Sequence, residues 1–259
     1  MKFGIVTPSF NQGAFIERTI ESVLAQQGDF EVDYLVVDGG STDETLSVLE
    51  RYTGRIRYVS ERDRGQSDAI NKGFRMTQGD VVAWINSDDT YLPGAFQAVA
   101  DAIRGGARWC FGDCRIVDEQ DARIRGFVAR YKSGLARGYS LRRLLSSNFV
   151  PQPSTFFRRD LLEEAGPIDE SLHYAMDYDL WLRFARLAEP AYLTRELACF
   201  RVYQRSKTGG AFQKGAREAL EVARRRAQPG ERGAVARHFL HYAGLVAVYS
   251  LLDLFSSGR

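Results

Sequence analysis

Apolar runs alternate with amphipathic stretches along the first part of the chain. Residues 2–7 predict a short buried strand, and residues 15–27, with apolar positions Phe15, Ile16, Ile20, Val23 and Leu24, predict a helix. Residues 32–37 read as a second strand. Ser41-Thr42-Asp43-Glu44 follows in the spacing of a capping box, predicting a helix that runs to about Tyr52. A third strand falls at 56–59 and a third helix at 67–76. Residues 81–85 carry no polar side chain, so this fourth strand is expected to be central and covered on both faces. Strands alternating with helices predict βαβ units and a mainly parallel sheet.

The pattern changes after a helix at 93–103. Residues 109–127 read as two strands with a polar turn, and 134–148 as a loop with a short helix. Residues 154–157 are expected to be extended, 177–187 helical and 192–203 mostly extended. Gly209-Gly210 marks a break. Two helical stretches follow, 212–226 and 231–255, separated by Gln228-Pro229-Gly230.

Each of the first four strands runs into polar residues. These are Thr7-Pro8-Ser9-Phe10-Asn11, Asp38-Gly39-Gly40-Ser41, Glu61-Arg62-Asp63-Arg64-Gly65-Gln66 and Asn86-Ser87-Asp88-Asp89. Ligands of open α/β sheets sit outside the carboxyl ends of the strands. Acidic loops converging there repel one another unless a cation sits among them, and carboxylate oxygens suit Mg²⁺ or Mn²⁺. Any single loop is equally well explained by helix capping and turn formation. Neither GxGxxG nor GxxxxGK[ST] occurs, which excludes the dinucleotide and ATPase fingerprints, and no CxxC or HExxH zinc pattern occurs.

Composition narrows the class further. With 44% hydrophobic and 26% charged residues over 259 positions, the chain is globular rather than disordered. Three cysteines, Cys110, Cys114 and Cys199, leave an odd one over and suit a reducing compartment; no secretory leader is read at the start. The net charge of +2 is uneven. From Arg201 onward 11 Lys+Arg face 4 Asp+Glu, so the tail carries +7 and the remainder −5. An acidic body argues against nucleic-acid binding.

The ordered set of strand-end motifs resembles the family 2 glycosyltransferases, which have the GT-A nucleotide-sugar-binding fold. Asp63-Arg64-Gly65-Gln66-Ser67-Asp68-Ala69-Ile70-Asn71-Lys72-Gly73, Pro151-Gln152-Pro153-Ser154-Thr155-Phe156-Phe157, Gly166-Pro167-Ile168-Asp169-Glu170 and Met176-Asp177-Tyr178-Asp179-Leu180-Trp181-Leu182-Arg183 continue it, so that it covers about residues 1–208. The resemblance implies an α/β, Rossmann-like, mainly parallel sheet flanked by helices, with a C-terminal helical extension. It divides the chain into a GT-A domain at 1–208, with a nucleotide-sugar half at 1–105 and an acceptor and catalytic half at 106–208, and a tail at 209–259.

The resemblance also implies roles. Asp38 matches the carboxylate that accepts from the donor's base, in a pocket lined by Thr7, Pro8, Ser9, Phe10 and Asn11. Asp63, Gly65, Gln66, Asp68 and Asn71 match the segment beside base and ribose. Asn86, Ser87, Asp88 and Asp89 match the DXD site, with Asp89 on the metal (Mn²⁺ or Mg²⁺) and Asp88 on ribose or metal. Asp177 matches the base that deprotonates an acceptor hydroxyl, with helix capping as its alternative role and Asp179 as the competing base. One base and no enzyme nucleophile imply inversion. Tyr203 stands where such members often carry a metal-ligating His, and Arg205 and Lys207 then become candidates for the diphosphate.

The expected activity is inverting transfer from a nucleotide-diphospho-sugar to a saccharide or lipid-linked acceptor, in surface polysaccharide or glycolipid synthesis in the cytoplasm. A catalytically weak nucleotide-sugar-binding partner is the alternative that Tyr203 keeps open. The basic, aromatic-bearing stretch 123–148 suits an acceptor groove or a solvated loop. The tail joins Arg224-Arg225-Arg226 to the uncharged run 239–252. It is expected to stand outside the active site, on an anionic membrane surface, on a second copy of the chain in a homodimer, or packed on the domain.

Overall fold

The computed structural model describes residues 1–204 and 212–256. Eight strands form one sheet in the order β3-β2-β1-β4-β7-β6-β8-β5. They are β1 (Lys2–Ser9), β2 (Glu31–Asp38), β3 (Arg57–Ser60), β4 (Val81–Trp84), β5 (Thr90–Tyr91), β6 (Trp109–Val117), β7 (Thr155–Arg158) and β8 (Ala191–Arg201). The helices are α1 (Gly13–Leu24), α2 (Thr45–Arg51), α3 (Gln66–Met76), α4 (Ala95–Arg104), α5 (Gly126–Arg137), α6 (Leu141–Ser146), α7 (Arg159–Ala165), α8 (Met176–Leu187), α9 (Phe212–Arg226) and α10 (Arg232–Ser256).

Strands β3, β2, β1 and β4 pair in parallel, as the alternating pattern requires. β7 then enters antiparallel between β4 and β6, β6 runs parallel to β8, and the short β5 closes the edge antiparallel to β8. The boundary expected at 105/106 therefore falls within one continuous sheet.

Side-chain alternation builds two cores, one per face. Phe3, Ile5, Tyr34, Val36, Val81 and Ala83 pack with Ile16 and Ile20 of α1, Leu49 of α2 and Phe96 of α4. Val6, Leu35, Val37, Val82 and Trp84 face Ile70 and Phe74 of α3, Leu161 of α7 and Trp181 of α8. Trp181 lies between Trp84 and Trp109, with ring centroids 5.6 and 6.0 Å away. Burial of that ring fixes α8 against β4 and β6.

Three local expectations are corrected. Ser41 does not cap α2, because its hydroxyl turns back to Asp38; Asp43 receives the Thr45 N–H instead, at 3.0 Å. Residues 109–127 contain one strand, β6 at Trp109–Val117, not two. Asp118 accepts the N–H groups of Gln120 and Ala122 in a tight turn, a single bridge joins Val117 to Arg123, and α5 starts at Gly126. The stretch 134–148 is largely helical, in the end of α5 and in α6, where Ser140 caps by accepting from the Arg143 N–H. The Gly209-Gly210 break lies outside the described residues.

Candidate active site

The carboxyl ends of β1 and β2 are stitched together by their loops. Asn11 sits at φ +52°, donates its N–H to Ser41 Oγ at 2.8 Å and accepts the Thr42 N–H on Oδ1 at 2.8 Å. Asp38, at the end of β2, is 0% exposed. Its carboxylate accepts from the N–H groups of Gly40 and Ser41 and from the hydroxyls of Ser41 and Ser60. Asp38, expected at the donor's base, is thus engaged by four internal donors in this turn. Thr7 and Pro8 are buried as well, with Thr7 Oγ1 3.0 Å from Tyr34 Oη. This rim presents Phe10, 59% exposed; Ser9 beside it is buried, its hydroxyl without a hydrogen-bond partner among the described residues.

Asp63, beyond β3, swings in over the end of β2. A Cβ at Gly39 would stand 2.7 Å from Asp63 Oδ2, so a side chain there would push the carboxylate aside. Asp63 Oδ1 accepts the Gly65 N–H at 2.8 Å, and Gly65 starts α3 from φ +114°, a conformation costly for other residues. Two further residues expected at the donor site have internal partners. Asp68 accepts the Arg64 N–H and guanidinium and so holds this loop. Asn71 is buried and clamps the 166–170 loop, donating to Ile168 O at 2.9 Å and accepting the Ile168 N–H at 3.0 Å.

The β4 end joins these loops to α8. Gln66 Nε2 donates to Asn86 Oδ1 at 2.7 Å, and Asn86 donates to Asp89 Oδ2 and to Gln152 Oε1. Gln152 in turn donates to Trp84 O, a role its place in a Pro-rich motif did not announce. Ser87 is buried, and its carbonyl accepts the Thr19 hydroxyl. Beside Gln66, Ser67 donates to Met176 Sδ at 2.8 Å, next in sequence to Asp177. Gln66 and Ser67, adjacent at the start of α3, thus link the loop after β4 to the start of α8.

Asp89 is 1% exposed, and both its oxygens are taken, Oδ1 by the Arg201 N–H at 2.8 Å and Oδ2 by Asn86. Burial and then the neighbouring Asp88 charge push its carboxyl well above the usual range. Asp88 is the half-buried member of the pair. Burial raises its carboxyl too, against its own backbone N–H, a hydrogen bond from Tyr203 and the charge of Arg201. Of the two expected metal ligands, Asp89 is thus engaged in holding β8, and Asp88 is the less buried. The Tyr203 hydroxyl also lies 3.4 Å from Gln12 Oε1, and burial with the Asp88 charge pushes it up to about 12.

A divalent cation fits this site. The donors are hard carboxylate oxygens carrying buried negative charge. Mg²⁺-like ions take one or two protein carboxylates and complete their shell with phosphate and water. Accordingly, no group of three or more His, Cys, Asp or Glu side chains with metal-holding geometry occurs among the described residues. Arg205 and Lys207 lie outside the described residues.

Of the two base candidates, Asp179 is excluded. It is fully buried and bound by Arg183, Arg225 and Arg226. Asp177 is half-buried in the first turn of α8, accepting the Tyr178 N–H on Oδ1 at 2.6 Å. Lys132 of α5 lies near enough for its charge to act on Asp177; burial pulls that ammonium below its usual value while Asp177 opposes the shift.

The sequence profile of glycosyl transferase family 2 matches residues 4–166, more than half of the chain. The chain belongs to glycosyl transferase family 2. An uncharacterized glycosyltransferase of Mycobacterium tuberculosis is 31% identical over 193 residues, 72% of this chain and 70% of that one. A relative in Rickettsia conorii is 27% identical over 71% of this chain, which spans only 31% of it. The GT-A fold is shared with S. aureus TarS 1–349 in complex with UDP-GlcNAc (TM-score 0.69, 18% identity, 92% of this chain and 73% of that one). It is shared too with the mannosyltransferase PcManGT from Pyrobaculum calidifontis in complex with GDP-Man and Mn²⁺ (TM-score 0.70, 15% identity, 98% and 80%). The family match ends at residue 166, before α8 and Asp177.

Proposed function

We propose that this family 2 member is an inverting glycosyltransferase that moves a sugar from a nucleotide-diphospho-sugar to an acceptor hydroxyl in surface polysaccharide or glycolipid synthesis. The observation that carries the reading is the linkage of the Asp88 loop to the start of the Asp177 helix through Asn86, Gln66 and the neighbouring Ser67. On this reading the linkage lets a carboxylate suited to a diphosphate-bound cation and a carboxylate suited to a proton serve one site. The donors bound by the structural neighbours, UDP-GlcNAc and GDP-Man, belong to the same chemical class.

The base of the donor stacks on Phe10, with Ser9 Oγ and Asp63 supplying polar contacts at the ends of β1 and β3. Asp88 would hold Mn²⁺ or Mg²⁺ together with the donor diphosphate. When bound, the metal neutralises charge on the departing nucleoside diphosphate. Asp177 accepts the proton of the acceptor hydroxyl as its oxygen attacks the anomeric carbon from the face opposite the leaving group. With no enzyme nucleophile in line, this single displacement inverts the configuration.

The acceptor end is formed by α5, whose half-buried Lys132 lies near Asp177 and whose outer side exposes Phe127 and Tyr131. Tyr131 Oη lies 3.3 Å from His241 of α10, which joins this surface to the tail. We assign it to an anionic membrane at the cytoplasmic face, where a lipid-linked acceptor would be met. Among the described residues no helix is long and apolar enough to cross a membrane.

The test is release of nucleoside diphosphate from UDP-GlcNAc, GDP-mannose and related donors, with Mn²⁺ or with chelator, by wild-type chain and Asp177→Asn. Metal-dependent release lost in the variant supports the reading. Donor binding without turnover under every condition would favour the nucleotide-sugar-binding partner instead.

A further inference from the structure

We propose that helix α9, in the tail beyond the family motifs, is the element that positions Asp177, and that Glu218 is the residue through which it acts. The proposal rests on the reading of Asp177 as the base. Helix α8 starts at Met176 after Ala175, and no local side chain caps it. The amides entering the helix must therefore find an acceptor elsewhere, because a buried N–H without a partner is costly. Glu218 supplies it from α9. Its Oε1 accepts the His173 N–H at 2.9 Å, while Oε2 accepts the N–H groups of Tyr174 and, at 2.8 Å, Ala175. One carboxylate thus closes three successive amides and places its charge at the positive end of the helix.

The same helix grips α8 one turn later. Arg225 and Arg226 reach the buried Asp179 at 2.8 Å each on Oδ1, and Arg226 adds 2.9 Å on Oδ2. Asp177 lies midway between Ala175 and Asp179, so its backbone is held from both sides by α9. Charge-assisted hydrogen bonds of this kind are short and directional. They fix the point from which the Asp177 side chain projects, and a misplacement near 1 Å in such a group costs up to ~10²-fold in rate. Of the places expected for the tail, α9 takes the one packed on the domain, where the exposed Arg225 and the half-buried Arg226 both engage Asp179. On this proposal the helix also supports the candidate base.

The experiment compares full-length wild type, Glu218→Gln, Asp177→Asn and, as a control on the same helix, Glu221→Gln. Glu221 is exposed and pairs only loosely with Arg217, at 3.7 Å. Amide hydrogen exchange over residues 172–178 and the kcat and KM for donor hydrolysis are measured together. Glu218→Gln keeps the shape but replaces one acceptor oxygen by a donor. It is expected to raise exchange over that segment and to lower kcat by about tenfold with donor KM within about twofold, whereas Glu221→Gln changes neither. Unchanged exchange, or unchanged kcat while Asp177→Asn is inactive, overturns the proposal. If Asp177→Asn itself turns over at the wild-type rate, the base assignment falls and takes the proposal with it, and the exchange data show separately whether the clasp exists.

Discussion

Arg226 and Asp179, 47 positions apart, meet through two parallel hydrogen bonds of 2.8 and 2.9 Å with the carboxylate fully buried. Arg183, one turn along α8, and Arg225 complete the cluster, and Asp169 balances Arg225 from the neighbouring loop at 3.0 Å. Removing one member of such a buried cluster leaves uncompensated charge and costs about 3–5 kcal/mol. Asp179→Asn is expected to lower the melting temperature by roughly 10 °C. The contribution also has a definite pH window. Burial raises the Asp179 carboxyl, but the hydrogen bonds of Arg226 and Arg225 and the surrounding guanidinium charge outweigh it and hold the carboxyl below its usual range. A depressed carboxyl stabilises the fold above its unfolded value of about 3.9 and ceases to as pH falls through the lower folded value. The difference in melting temperature between wild type and Asp179→Asn should be flat above about pH 5 and shrink below about pH 4.

Asp177→Asn keeps size and hydrogen-bonding shape but accepts no proton. Loss of a general base lowers turnover by ~10²–10⁴-fold. Nucleoside diphosphate affinity, read by calorimetry, is expected to stay within a few-fold of wild type. Near wild-type transfer in the variant would make Asp177 structural.

Asp88 is the site's sacrifice of stability for binding. Its carboxylate is half-buried beside the buried Asp89, and burial raises both. Without metal, Asp88→Asn is expected to raise the melting temperature by about 2–4 °C, the equivalent of ~1 kcal/mol. With Mn²⁺ and a nucleoside diphosphate the order reverses, because the wild type gains ligand stabilisation and the variant does not. Tyr203 donates to the same carboxylate, so Tyr203→His is expected to increase the dependence of donor affinity on metal by adding an imidazole ligand. A thermal-shift series with and without chelator checks both substitutions.

Strand-helix alternation up to Trp84 was legible in the sequence because each face of β1, β2 and β4 is covered, so apolar runs and helical periodicity carry the signal undiluted. Residues 109–137 misled because β6 carries half-buried positions along its length while the amphipathic α5 keeps almost no buried side chain, so neither shows a clean period. At the site, residue types announced an acidic rim but not its division of labour. Asp38 closes β2 and Asp88 lies in the loop after β4, yet one is fully buried among four internal donors and the other only half-buried. Glu218, Arg225 and Arg226 act across more than forty positions, and nothing in the local pattern of α9 distinguishes a carboxylate that caps another helix from a solvated one.

The last prediction concerns the membrane. Since Arg225 and Arg226 are spent on Asp179, an anionic surface must be met elsewhere. The outer side of α5 exposes Phe127 (70%) and Tyr131, together with Arg130 and Arg137, and α10 exposes Leu240 (67%), Phe239 and Arg237. The contact between Tyr131 and His241 makes the two helices neighbours. Side chains of the 239–252 run beyond Gly244 lie outside the described residues. Ala234 and His238 of α10 face inward, His238 Nδ1 lying 3.0 Å from Leu145 O, so the helix packs by one side and presents the other. Aromatic side chains flanked by arginines suit the headgroup layer, each basic residue near an anionic leaflet contributing ~1 kcal/mol. Three such residues predict binding that is measurable at low salt and falls steeply as salt screens it. In co-sedimentation with phosphatidylserine-containing vesicles, full-length chain is expected to pellet at low salt and to be released at high salt. Phe127→Ala combined with Leu240→Ala should weaken pelleting without lowering the melting temperature, because both side chains are already in water. Arg226→Ala should do the opposite, destabilising the fold while leaving the outer surface intact. Failure of the full-length chain to bind anionic vesicles at low salt would remove the membrane from the account and leave this surface to a second copy of the chain, which light scattering would then report as a dimer.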